Sequence, residues 1–148
     1  MIEIREARLE DLEEISALVR QLEEVTTVST RMEPSSLERV LQSMLGQPET
    51  YRTFLALDSG RIVGLLSLLL YKTLLHAGGT ALINELVVSE AHRGRGIGRA
   101  LVQKAIDVSR QTGMDELEVG TEKSNSAALG FYAALGFDSQ YVLLGRQL

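Results

Sequence analysis

The residues whose types and spacing speak most directly of chemistry are Arg93-Gly94-Arg95-Gly96-Ile97-Gly98. They lie between an apolar run, Ala81 to Val88, and an amphipathic stretch that begins at Ile97. Glycines lack a Cβ, so the backbone amides of such a loop stay uncovered and can converge on an anion. The helix that follows adds partial positive charge at its N-terminus, and the arginines add full charges. This is the pattern of a phosphate cradle. Two familiar cradles fail on position. A P-loop requires Lys-Ser/Thr after its last glycine, but Gly98 is followed by Arg99-Ala100. A dinucleotide fingerprint requires a third glycine where Arg99 or Leu101 stands. Both failures weaken a nucleotide-binding reading. A tight turn with solvated arginines would account for one or two of the glycines, not for three that open a helix in register.

The elements that must position this loop follow from periodicity. Ile2 and Ile4 alternate with charges, as in a short strand, and Arg8 to Leu22 places Leu12, Ile15, Leu18, Val19 and Leu22 on one helical face. Ser36 to Leu45 reads as a second helix, with Ser35 and Glu38 as a capping box and Leu37, Val40, Leu41 and Met44 as its buried stripe. Tyr51 to Leu57 and Arg61 to Tyr71 read as strands joined by Asp58-Ser59-Gly60. Lys72 to Gly79 reads as a loop and Ala81 to Val88 as a strand. Ile97 to Thr112 is a helix closed by Gly113. Glu116 to Val119 is a strand, Ser126 to Leu135 a helix stopped by Gly136, and Tyr141 to Leu144 a last strand. The order implies a single α/β domain over residues 1–148, antiparallel at first, with a parallel strand–helix–strand unit near the end.

Composition narrows the function. The chain has 148 residues, 45% hydrophobic and 24% charged, which suits one soluble core. A net charge of −5 argues against nonspecific nucleic-acid binding despite the arginine-rich loop. The absence of cysteine excludes disulfides, thiolate metal sites and a cysteine nucleophile, and His76 and His92 alone make no histidine metal cluster. No metal is expected. Met1 to Glu6 lacks the apolar segment of a signal peptide, and Ile62 to Leu70 is too short to span a bilayer. A cytoplasmic protein without a membrane partner is the expectation.

The chain resembles the GCN5-related N-acetyltransferases, whose acetyl-CoA loop reads Arg/Gln-x-x-Gly-x-Gly/Ala. Arg93 to Gly98 fits that pattern, and Glu85-Leu86-Val87-Val88 looks like the strand that leads into it. A second block is similar too: Asn125, the stretch Ser126 to Gly130, the pair Phe131-Tyr132, then Gly136-Phe137. Ile4-Arg5-Glu6-Ala7 with Asp11-Leu12 resembles the family's opening strand and helix. The likeness spans nearly the whole chain. It implies a mixed, mostly antiparallel sheet flanked by helices, with a parallel strand pair opening at the acetyl-CoA site. It also implies acetyl-CoA as cosubstrate and direct transfer of acetyl to a primary amine of a small molecule or peptide. Homodimers are common among such proteins.

By this resemblance the pyrophosphate rests on the amides of Arg93, Gly94, Arg95, Gly96, Ile97 and Gly98, with Arg93, Arg95 or Arg99 near the phosphates. Leu86, Val87 and Val88 form the strand beside which the pantetheine arm lies, Leu86 and Val88 offering it backbone groups. Tyr132 takes the general-acid role: a phenol of ordinary pKa about 10 keeps its proton at neutral pH and can hydrogen-bond the departing sulfur. Packing of the last helix is its alternative role. Asn125 can cap that helix with its oxygen and keep its amide nitrogen for the cofactor. Glu85 is the general-base candidate, directly or through a water, because a carboxylate in an apolar strand is costly to bury unless paired or functional. His76 reads as a surface-loop histidine. The acceptor would be chosen by the first two helices and the loops Val25 to Pro34 and Lys72 to Gly79. A noncatalytic acyl-CoA-binding or regulatory module on the same scaffold is the alternative function.

Overall fold

The computed structural model describes residues 1–26 and 31–148. Part of the loop Val25 to Pro34, expected to help choose the acceptor, therefore lies outside the described residues. Five strands form one sheet in the order β1 (Ile2–Glu6), β2 (Tyr51–Asp58), β3 (Arg61–Tyr71), β4 (Thr80–Val88) and β5 (Glu116–Val119). The first three pairings are antiparallel and β4–β5 is parallel. Helices α1 (Leu12–Val25) and α2 (Pro34–Leu45) pack with one set of sheet residues, and α3 (Ile97–Gln111) and α4 (Ser126–Ala133) with the other. The expected α/β architecture is present, including the parallel β4–α3–β5 unit.

Alternation along each strand sorts side chains to the two faces. Phe54, Ala56, Leu66, Leu68, Ala81 and Ile83 pack with Ile97, Leu101, Val102 and Ala105 of α3. Leu55, Leu57, Leu65 and Val87 pack with Ile15, Leu18 and Leu41. The β2–β3 hairpin turns on Ser59-Gly60, with φ of 51° and 80°. Two successive positive φ values make the hairpin turn that matches strand twist. Gly64 on β3 admits α3 to the sheet: a Cβ there would stand 3.1 Å from Leu101 Cδ1 and 3.2 Å from Ile97 Cγ2.

Some boundaries differ from the periodicity. The first helix opens as a 3-10 turn, Leu9–Asp11, and α1 proper starts at Leu12. In α2 the expected Ser35–Glu38 capping box does not form. Pro34 opens the helix, Glu33 is its N-cap, and no side chain caps it. Proline suits the first helical position, where its missing N–H costs nothing. Val40 faces solvent, so the stripe is carried by Leu37, Leu41, Met44 and Leu45. The largest departure is at Tyr141 to Leu144, which forms no strand and is exposed. Strand propensity alone does not make a strand; the pairing and burial that would hold one are missing from this segment.

The start of the chain is held by one buried carboxylate. Asp11 accepts two hydrogen bonds from Arg5, at 2.8 and 2.7 Å, and one from the Arg8 backbone N–H at 2.8 Å. The Arg5 hydrogen bond lowers the Asp11 pKa below its ordinary value of 3.8, overcoming the opposing effect of burial. Because the folded value is the lower one, the bond's contribution is complete above about pH 3.8 and is lost as pH falls through the folded value. Asp11→Asn should cost about 1.5–3 kcal/mol at pH 7. Denaturant melts from pH 7 to 2 should show parent and variant converging on the acid side. A gap independent of pH would assign the loss to packing instead.

Candidate active site

The site grows from the parting of two parallel strands. β4 and β5 pair from Thr80–Glu116 to Ile83–Val119 and no further, although β4 continues to Val88. The opposite edge of β4 shifts register at the same level: Leu68 faces Ile83 and Ser67 faces Glu85, so Asn84 is an extra residue. Such a bulge bends and twists a strand locally. Ser89 N–H bonds to the Val63 carbonyl at 2.8 Å. By antiparallel alternation, Glu85 and Val87 also direct their backbone groups to β3, and Leu86 and Val88 direct theirs into the opening beside β5.

The loop expected to be a cradle stands at the far end of this opening. Gly94 and Gly96 have φ of 75° and 78°, left-handed values that favour glycine. Gly96 is the N-cap of α3 and has no side-chain capping bond. The first α-helical bond runs from Ala100 N–H to the Gly96 carbonyl at 3.0 Å, so the amides of Ile97, Gly98 and Arg99 keep no intrahelical partner. Ile97, only 1% exposed, anchors this turn in the core. Gly98 meets a different constraint: a Cβ there would make ordinary contact with the Phe131 ring at 3.5 Å. The open backbone thus comes from the conformations of Gly94 and Gly96, and Gly98 only eases packing against α4.

The arginines are not alike. Arg93 Nε donates to the Val88 carbonyl at 3.2 Å, pinning the loop to the end of β4. Arg95 lies 3.8 Å from Asp58 of the β2–β3 turn. Arg99 is exposed.

Asn125 caps α4, its Oδ1 accepting from Ala128 N–H at 3.0 Å. On α4, Tyr132 stands edge-on to Phe131 and Phe137, at centroid distances of 5.0 and 5.4 Å. It packs against the same core cluster as Leu86, Val88 and Val119, the residues that border the opening. Burial pushes its phenol up to about 12. The proton is therefore held at every physiological pH.

Glu85 is exposed, so burial is not what constrains it. Its Oε2 accepts a hydrogen bond from the hydroxyl of Ser67, its cross-strand neighbour, which is itself buried. Glu85 shares its face with Val87, whereas Leu86 and Tyr132 belong to the other core. The two catalytic candidates stand on opposite faces of β4, at either side of the opening. Leu117 and Val119 pack on the α3 side, so Glu116 and Glu118 project to the same face as Glu85. Glu118 accepts from the Tyr71 hydroxyl at 3.3 Å, and burial raises the Tyr71 pKa. Ser67, Tyr71, Glu116 and Glu118 join the site only in the folded chain. The signal for Glu116 and Glu118 was a carboxylate at every second place of β5, whereas Ser67 stands alone among leucines and offered none.

His76 ties the β3–β4 loop down. Its Nδ1 lies 3.1 Å from Thr73 Oγ1 and 3.3 Å from Thr80 Oγ1, and its Nε2 lies 3.5 Å from Glu116 Oε2. Gly78 N–H donates to Asp115 at 2.8 Å, and a Cβ on Gly78 would fall 2.0 Å from the Gly113 carbonyl oxygen. No helix among the described residues is long and apolar enough to cross a membrane.

A half-split sheet with an uncapped, glycine-rich helix start at its mouth defines the class: an α/β domain with an open strand edge beside free helix-start amides. Residues 15–137 match the acetyltransferase (GNAT) family, and the chain belongs to that family. It is 30% identical over 146 residues to an aminoalkylphosphonate N-acetyltransferase of Salmonella typhimurium, covering 99% of this chain and 91% of that protein. It is 37% identical over 87 residues to N-alpha-acetyltransferase 30 of Schizosaccharomyces pombe, covering 57% of this chain and 56% of that protein. The chain thus spans little more than half of the fission-yeast relative. Among solved structures, a transcriptional regulator from Bacillus halodurans C-125 superposes with a TM-score of 0.86 at 27% identity, over 100% of both chains.

The loop geometry gives a direct test. Saturating acetyl-CoA, at about 100 times its Kd, should stabilise the parent by ~2.7 kcal/mol, or about 2–4 °C per kcal/mol for a domain of this size. Gly96→Val meets no atom within 4 Å but forces a β-branched residue to a φ of 78°. It should stay folded and lose most of the ligand-induced shift in a thermal melt. An unchanged shift would remove the loop from the site.

Proposed function

We propose that this chain transfers the acetyl group of acetyl-CoA directly to a primary amine of a small molecule or peptide. The observation that carries this reading is the bare backbone edge of β4 running from Ile83 to an uncapped, amide-rich helix start. That edge suits an extended, amide-bearing arm adding as a pseudo-strand, and the helix start suits its pyrophosphate. The family match and the N-acetyltransferase relatives support the same chemistry.

The reaction needs no covalent enzyme intermediate. The amine nitrogen attacks the thioester carbon, the C–N bond forms, the C–S bond breaks, and one proton travels from nitrogen to sulfur. Backbone N–H groups of Leu86 and Val88 face the opening and can polarise the carbonyl oxygen. Tyr132 lies on the α4 side, where the sulfur would depart. A phenol held near 12 is a weaker acid than a thiol of ordinary pKa about 8.5. It therefore stabilises the thiolate by donating a hydrogen bond, and full protonation follows from solvent. Glu85 lies on the other face with Glu116 and Glu118, a negative border that attracts an ammonium before transfer. Its carboxylate, steadied by Ser67, takes the amine's proton directly or through a water. A noncatalytic acyl-CoA-binding module would bind acetyl-CoA yet release no free CoA with any member of a broad amine panel.

Tyr132→Phe keeps the ring contacts and removes only the hydroxyl. We expect kcat to fall by roughly 10²–10⁴ with acetyl-CoA affinity little changed. An unchanged kcat, where chemistry limits turnover, would leave Tyr132 as packing. Glu85→Gln should lower kcat/KM most at neutral pH, where an alkyl amine of pKa about 10.4 is almost wholly protonated. The deficit should shrink as pH rises toward that value. Parallel pH–rate profiles for parent and variant would place the base elsewhere.

A further inference from the structure

Helices α1 and α2 cover only part of the sheet face that carries Glu85. Beneath them lie Leu55, Leu57, Leu65 and Val87. Further along that face Leu69 and Leu82 are cross-strand partners, and Tyr51 pairs with Leu69 on its other side. Leu68, Leu70, Ala81 and Ile83 pack toward α3, so alternation turns Leu69 and Leu82 to the Glu85 face. Both leucines and Tyr51 are half-buried, and among the described residues neither core takes them in. They make an apolar floor with a wall at each end. One wall is the Ser67–Glu85 pair. The other is Tyr71 of β3, whose hydroxyl donates to Glu118 of β5 at 3.3 Å, so its ring crosses β4. Tyr71 pairs with Thr80 and Glu118 with Leu82, which sets the crossing between those two β4 residues.

We infer that this floor receives the carbon chain of the acceptor, which makes the acceptor a primary amine on an unbranched, apolar chain. The inference rests on the acetyl-transfer reading for the place of the reacting nitrogen. Charge sets the orientation: the ammonium meets the exposed carboxylate of Glu85, and the chain lies over Leu69 and Leu82 with its end against the Tyr71 ring. A tail ending in a carboxylate or phosphate would be driven toward Glu118 and repelled. A peptide is disfavoured for a different reason. The backbone of β4 is bonded to β3 and β5 from Thr80 to Ile83, so the floor offers side chains alone and would leave a peptide's amides unpaired. Two residues of strand span about 7 Å, so the floor between its walls takes a chain of about five or six carbons.

The test is calorimetric titration of the full chain, with CoA present, by the unbranched amines from ethylamine to octylamine. Kd should tighten about 2- to 4-fold with each added methylene and level off at about six carbons. Hexylamine carrying a terminal carboxylate should bind at least about 10-fold more weakly than hexylamine itself. Leu82→Thr keeps a residue that suits a strand and should flatten the dependence on chain length. Tyr71→Ala removes the far wall and should move the levelling point to longer chains; circular dichroism checks that each variant is folded. A parent that binds no amine, a Kd indifferent to chain length, or folded variants that both keep the parent's slope and levelling point would each overturn the inference. Release of free CoA from acetyl-CoA with the same amines tests the transfer reading separately. Length-dependent binding without CoA release would place the error in the transfer step and not in the floor, whereas CoA release with a length-independent Kd would overturn the floor alone.

Discussion

The parting of β4 from β5 after Ile83 and Val119 is the constraint from which the candidate site follows. Inside a sheet every backbone N–H and C=O has a partner, and a strand that outruns its neighbour leaves a row of them open. Here β4 outruns β5 by five residues, Asn84 to Val88, and the extra residue at Asn84 turns the strand where the pairing ends. The exposed row is polar and leads through the glycine loop to the start of α3. Had the two strands stayed paired to Val88, there would be no groove and the glycine loop would face only water.

A second constraint fixes where the groove ends. Gly64 lets Ile97 and Leu101 settle directly on β3, so the first turn of α3 is bolted to the same strand that pairs with β4. Its free amides are therefore held at a fixed distance from the bare edge. Arg93 adds a link from the loop back to the Val88 carbonyl. The loop is open because of its backbone conformation and rigid because its neighbours are buried. An anion site benefits from both, since donors fixed beforehand need no reorganisation when charge arrives.

The two faces of the groove differ in electrostatic character. On the α4 side Tyr132 sits among Phe131, Phe137 and apolar strand residues, a setting that keeps a phenol neutral. On the other side Glu85, Glu116 and Glu118 line β4 and β5 and are exposed or partly so. The opening thus separates an aromatic, half-buried side from an exposed, negative one. The β3–β4 loop, fastened by His76, Asp115 and Gly78, bounds that wet side at a defined height.

The amino-acid sequence by itself determined the elements and the chemical groups. Periodicity placed the helices and strands because burial imposes a repeat of 3.6 or 2 on apolar residues. Ser59-Gly60 fixed its hairpin, and Gly94 and Gly96 fixed an open loop, because their conformations are local properties of the backbone. Asn125 acted as the helix cap its position announced. Tertiary structure decided what depends on distant neighbours. Glu85 looked like a carboxylate in an apolar strand, yet the bulge and the pairing with Ser67 set it in solvent. Tyr141 to Leu144 had the residue types of a strand, yet it pairs with no strand and stays exposed. The acidic partners Glu116 and Glu118 gained meaning only when β5 lay parallel to β4 and turned them to the face of Glu85. Pairing register and facing are relations between segments far apart in the chain, and no local pattern of residues encodes them.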